Sequence, residues 1–193
     1  MTIARVLIFA SIVVSYPAYA HDEGGGGVGF ITGLLHPALG FDHFLAMLSV
    51  GILSAQIGGR ALWGVPMTFV CVMLVGGILG IKGVSIPLVE YGIALSVVAL
   101  GIALAADKHM ATVWAMMFVG FFAIFHGHAH GTEMPLIADP VLYGLGFVLG
   151  TSIIHLTGVL VGLGSTRPTN GRKLLRLLGA GIGGTGIYML LGS

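Results

Sequence analysis

The chain is predicted to be an all-α polytopic membrane protein, with a cleavable signal peptide at 1–20 and a six-helix transmembrane domain at 21–193. Three observations predict this fold. First, the chain is 56% hydrophobic and only 8% charged, with a mean hydropathy of +1.05, which is more apolar surface than one soluble core can hide. Second, six apolar stretches, at 30–58, 61–81, 84–106, 110–130, 141–164 and 173–192, each approach the ~20 residues needed to cross the hydrocarbon layer. Third, none alternates like a barrel strand, so the backbone must satisfy its hydrogen bonds inside helices.

At the start, Arg5 supplies a positive charge, Val6 to Val14 an apolar run and Ala18-Tyr19-Ala20 a small-x-small cleavage site, so the mature chain is expected to begin at His21. The apolar run is short for a span, and Pro17 also argues against an uncleaved helix. The leader that follows, His21-Asp22-Glu23 and then Gly24 to Gly27, is too glycine-rich to order itself. A flexible tail with an incidental histidine is the simpler reading. In the other, the new amine and His21 chelate a metal outside the membrane.

Six crossings from an outer N-terminus put Arg60, Lys108, Arg167, Arg172, Lys173 and Arg176 on the inner side and only Lys82 outside. The positive-inside rule independently demands the same orientation across a cytoplasmic membrane. A formal net charge of +1 without a basic stripe gives no reason to expect nucleic acid as a partner. Cys71 has no second cysteine to pair with, which excludes an internal disulfide and thiolate metal centres. The methionines lack regular spacing and read as packing. Thirty-three glycines require a physical reason, and Gly76-x-x-x-Gly80, Gly146-x-x-x-Gly150, Gly158-x-x-x-Gly162 and Gly179-x-x-x-Gly183 supply one as close helix-packing faces. Gly179 to Gly186 can serve contacts within the chain or between copies in a homo-oligomer.

Chemistry is concentrated in two clusters. His36-Pro37-Ala38-Leu39-Gly40-Phe41-Asp42-His43 lies in the first stretch and Phe125-His126-Gly127-His128-Ala129-His130-Gly131-Thr132-Glu133 at the end of the fourth. Ionisable groups inside a membrane are costly and mark paths for ions, protons or substrate. In one regular helix His36 and His43, two turns apart, share a face, with Asp42 on the flank and Pro37 able to kink the run. His126, His130 and Glu133 share a face through i, i+4, i+7 spacing, whereas His128 points away and is the weaker candidate. Glu90 comes from the third stretch just below the outer surface, and His155 from the middle of the fifth. Either can join the clusters, although a single intramembrane histidine is as often bonded to a neighbouring helix. Phe69 is a candidate wall of the path, with lipid contact as the alternative. Imidazoles with carboxylates suit divalent transition metals without choosing among Ni²⁺, Co²⁺, Zn²⁺, Fe²⁺ and Cu²⁺.

His-Pro-x-x-Gly-x-Asp-His at His36, Pro37, Gly40, Asp42 and His43, and Phe-His-Gly-x-x-His-Gly-x-Glu at Phe125, His126, Gly127, His130, Gly131 and Glu133, resemble the paired signatures of the HupE/UreJ family of nickel permeases. The similarity extends to the length, the signal peptide and the six spans. It implies import of Ni²⁺, with Co²⁺ as a second ion, for a hydrogenase or urease. The ion is then a transported substrate, and no permanently bound cofactor is expected. Glu90, His130 and Glu133 would pass it inward to His36, Asp42 and His43.

No Gly-x-x-x-x-Gly-Lys-[Ser/Thr] motif offers an ATPase engine. Two other classes rank behind a permease. A haem electron carrier could use His43 and His126 as axial ligands but leaves the carboxylates unexplained. A metallohydrolase lacks His-Glu-x-x-His.

Overall fold

The computed structural model describes residues 25–108, 110–166 and 170–192, so the signal peptide, its cleavage site and His21 lie outside the described residues. Within them the chain is helical, without a strand: α1 (Gly25–Leu39), α2 (Phe41–Ile57), α3 (Ala61–Ile81), α4 (Val89–Ala106), α5 (Thr112–Thr132), α6 (Pro140–Thr166) and α7 (Gly171–Gly192). Five of these, α3 to α7, are each long and apolar enough to cross a membrane, and α1 with α2 makes a sixth, broken span. The protein is therefore a multi-pass helical bundle, as the composition requires.

The first span departs from the expectation of one helix with His36 and His43 on a common face. It breaks at Gly40, and α1 and α2 meet at 81°. Pro37 lacks the N–H that would bond back into the preceding turn, and Gly40 then takes an extended conformation (φ −81°, ψ 114°). A new helix starts at once, because the Phe44 N–H bonds the Gly40 carbonyl at 2.8 Å and the Asp42 carboxylate accepts the His43 N–H at 2.8 Å. The third stretch also starts late, at Val89 rather than 84. Gly83 turns the chain at φ 69°, and Pro87 keeps the residue before it out of the helix.

Glycines bring the spans together in pairs. A Cβ on Gly127 or Gly131 of α5 would collide with the carbonyls of Met73 and Gly77 in α3, and one on Gly76 or Gly80 of α3 with those of Ile124 and His128. Gly146 and Gly150 of α6 approach the Phe30 and Leu34 carbonyls of α1 in the same way, and Gly158 approaches that of Leu48 in α2. Gly179 and Gly186 lie against α4 at Ala105 and Val98, so this stripe makes contacts within the chain. All four small-xxx-small faces of the sequence are helix contacts.

Residue numbers rise together along α3 with α5 and along α1–α2 with α6, whereas α4 and α7 run antiparallel. The start of α1, the 82–88 and 133–139 connections and the end of α7 consequently share one end of the bundle. Arg60, Asp107, Lys108, Arg172, Lys173 and Arg176 stand at the other, where Arg172 pairs with Asp107 at 2.9 Å and Arg176 donates to the Ala105 carbonyl. Met47, Val50, Phe69, Met73, Val97 and Leu104 fill the core between. Cys71, Leu74, Val75 and Ile78 face outward from α3, the arrangement expected of a surface that meets lipid.

Candidate metal site

The break between α1 and α2 delivers two helix ends to the C-terminal half of α5. His36 belongs to the last turn of α1, and Asp42 and His43 to the first of α2. From α5 come His126 and His130, and Glu133 follows immediately as its C-cap. His36 Nε2 lies 3.1 Å from Glu133 Oε2, and His130 Nδ1 lies 3.8 Å from the same oxygen. One ligand atom from each of the three falls within 4.8 Å of the others, a separation a single cation can bridge. His130 is buried while the Glu133 side chain is 52% exposed, so this group opens at the end of the bundle.

A row of rings leads inward from there. His130 packs against His36 at 4.8 Å between centroids and against His43 at 4.1 Å, and His43 meets His126 edge-on at 4.7 Å. The Phe69 ring, fully buried, lies 5.5 Å from His126 and 5.2 Å from His155. At 1.5 Å per residue, His126 is about 9 Å along α5 from its end, and His155 roughly 22 Å along α6 from its start at the same face of the bundle. The row therefore reaches past the middle of the span.

Several of these imidazoles have nitrogens that the protein itself does not satisfy. His43 donates from Nδ1 to Asp42 Oδ1 at 2.9 Å, while its Nε2 is buried without a hydrogen-bond partner. The same holds for His126 Nδ1 and for both nitrogens of His130 and of His155. Buried polar atoms are usually paired, because leaving one unmatched costs about 1–3 kcal/mol. These nitrogens belong to rings of the row, and a neutral imidazole nitrogen that bears a lone pair is a potential metal ligand.

The structure thus brings together His36, His43, His126, His130 and Glu133, with Asp42 supporting His43. His36 and His43 reach this site from two helices at a sharp angle, and not by sharing a helix face. Phe69 contacts the row rather than lipid. Two residues stand apart. His128 turns to the Val84 carbonyl, 2.7 Å from its Nε2, and ties down the α3–α4 connection. Glu90 is exposed in the first turn of α4 and lies outside the three-residue group at the opening.

Three contacts escape sequence reasoning. Tyr143 and Phe147 of α6 flank His36 and His130 at 5.8 and 4.5 Å, but in the sequence they are ordinary aromatics of an apolar helix. Ser96 lies 2.8 Å from His126 Nε2, and its only sequence signal is a hydroxyl within an otherwise apolar run. The edge-on contact of His43 and His126, 4.7 Å between centroids, is closer than two imidazoles stand on opposite faces of a haem.

Comparison with known proteins places the chain in a family. The family described as HupE / UreJ protein matches residues 9–189. Protein HupE of Rhizobium leguminosarum bv. viciae is 40% identical over 181 residues, covering 93% of this chain and 94% of the relative. No solved structure matches the chain. A match over nearly its whole length, including both histidine clusters, shows that the chain belongs to the HupE/UreJ family.

Proposed function

We propose that this protein is a permease that carries Ni²⁺, and Co²⁺ as a second ion, across the bacterial cytoplasmic membrane towards the cytoplasm, where a hydrogenase or urease consumes it. The observation that carries the reading is the His36–His130–Glu133 group, whose ligand atoms gather within 4.8 Å at the mouth of the inward row of imidazoles. Two imidazoles and a carboxylate suit a borderline divalent ion, and family membership turns that general preference towards nickel. The end bearing Glu133 and Glu90 is taken as the outer one, because the opposite end holds Arg60, Lys108, Arg172, Lys173 and Arg176. A cleaved signal peptide at 1–20, leaving His21 first, belongs to the same reading.

The ion is captured by His36, His130 and Glu133 and passed to His43 and His126, with Phe69 and His155 beyond. Each site binds with few protein ligands, so no single one holds the ion too tightly for release. An inside-negative potential contributes ~2.3 kcal/mol per charge per 100 mV, hence ~4.6 kcal/mol for a dication, and can drive accumulation without ATP.

Radioactive nickel uptake by cells lacking their own nickel importers tests this reading. Wild-type protein is expected to support uptake, and His36→Ala and Glu133→Gln to abolish it at matched membrane abundance. Uptake of zinc or iron in place of nickel would keep the path and change the ion. No uptake of any divalent metal would reject the permease.

Glu90, exposed at the outer end of α4, is assigned to gathering cations before they reach the mouth. Glu90→Gln is expected to lose uptake at low nickel and to regain part of it at high nickel, with a smaller difference between the two proteins at high salt. An equal fractional loss at every nickel concentration would show a different role.

A further inference from the structure

Ser96, in the middle of α4, is fully buried and lies outside both histidine clusters of the sequence. Its Oγ has two polar neighbours: the Ile93 carbonyl oxygen at 2.6 Å and His126 Nε2 at 2.8 Å. A hydroxyl carries one proton. A carbonyl oxygen can only accept, so a 2.6 Å approach of two oxygens requires that proton to lie between them; otherwise lone pairs would face each other at hydrogen-bond distance. The contact to His126 must then be made with the proton of the imidazole. Nε2 carries hydrogen and Ser96 accepts it, which leaves Nδ1 of a neutral ring with its lone pair. That Nδ1 is buried without a partner in the protein.

His43 reaches the complementary state by another route. Its Nδ1–H is held by Asp42, so its lone pair is on Nε2, which is also buried and unpartnered, and the two rings are 4.7 Å apart. We propose that Ser96 is a positioning residue of the transport path: by accepting the Nε2 proton it locks His126 in the tautomer whose Nδ1 lone pair, with Nε2 of His43, forms the second station for the ion. A ligating imidazole commonly has its other nitrogen held in this way, and loss of such a support typically weakens metal binding 10–100-fold. The tautomer follows from the hydrogen bonds alone, whereas its use in transport rests on the permease reading above.

The test is ring-¹⁵N nuclear magnetic resonance of the metal-free full-length protein in lipid bilayers, with the His126 signals assigned by their loss in His126→Gln. Wild type is expected to show a protonated Nε2 and an unprotonated Nδ1. Ser96→Ala is expected to lose that preference, and Ser96→Thr, which keeps the hydroxyl, to retain it. In parallel, nickel uptake should fall ~10–100-fold at low nickel in Ser96→Ala and recover in Ser96→Thr. A wild-type His126 protonated on Nδ1 would overturn the assignment, and that spectrum decides even if Ser96→Ala fails to accumulate. Unchanged tautomer and uptake in a well-expressed Ser96→Ala would overturn it equally. If the wild-type tautomer is as expected but the protein carries no divalent metal, the permease reading fails while the Ser96–His126 assignment stands.

Discussion

Replacing His130 by alanine is expected to reduce nickel uptake at least ~100-fold, beyond the 10–100-fold typical of losing a supporting partner. His130 is the ring common to both halves of the row. It faces Glu133 and His36 at the mouth, packs against His43 further in at 4.1 Å, and leaves both its nitrogens without a hydrogen bond. On the permease reading its loss would interrupt the handover from the mouth to the His43–His126 pair, because His130 packs against both His36 and His43. His128→Ala, two residues away on the same helix, serves as the comparison. Its Nε2 is committed to the Val84 carbonyl, so the variant should lose about 1 kcal/mol of stability and keep its uptake. Measured side by side at equal membrane abundance, equal losses in the two variants would contradict the row as the path.

Substituting Gly127 by leucine is expected to have the largest structural effect. The Cβ alone would collide with the Met73 carbonyl, a backbone atom that cannot turn aside, so α3 and α5 would have to separate. Overpacking a well-filled contact typically costs 1–3 kcal/mol, and this is the most extensive helix pair of the bundle. Folded protein in the membrane should fall sharply, and what remains should transport poorly, because α5 carries His126 and His130. Gly181→Leu, where a Cβ meets nothing within 4 Å, should accumulate normally. Thermal denaturation in detergent checks both, and equal melting temperatures would show that the α3–α5 contact tolerates a side chain.

The six apolar stretches were legible because hydrocarbon admits only helices of a certain length, a constraint that acts on each segment alone. The chemistry was legible for a similar reason: His36, Asp42, His43, His126, His130 and Glu133 are costly in such segments wherever the helices happen to pack. The break at Gly40 was less so. Pro37 pointed to a kink, but an 81° turn depends on α1 and α2 finding separate seats along α6, through Gly146 and Gly150 on one side and Gly158 on the other. Ser96 was overlooked because a serine in a membrane helix usually satisfies itself on its own backbone. Ser96 does so with Ile93, and only the neighbouring helix reveals the second bond to His126.

By itself the sequence therefore indicated an all-α membrane protein with several apolar spans, and singled out the histidines and acids placed within them, since hydropathy, charge and donor type are properties of residues in order. Only the tertiary structure decided how that set divides: which histidines line up from Glu133 to His155, that His128 supports a loop and that Glu90 stands exposed and apart from the His36–His130–Glu133 group. Those distinctions depend on distances between helices. The distances are set by where glycine lets two backbones touch, and a linear pattern of residues does not specify which helices will do so.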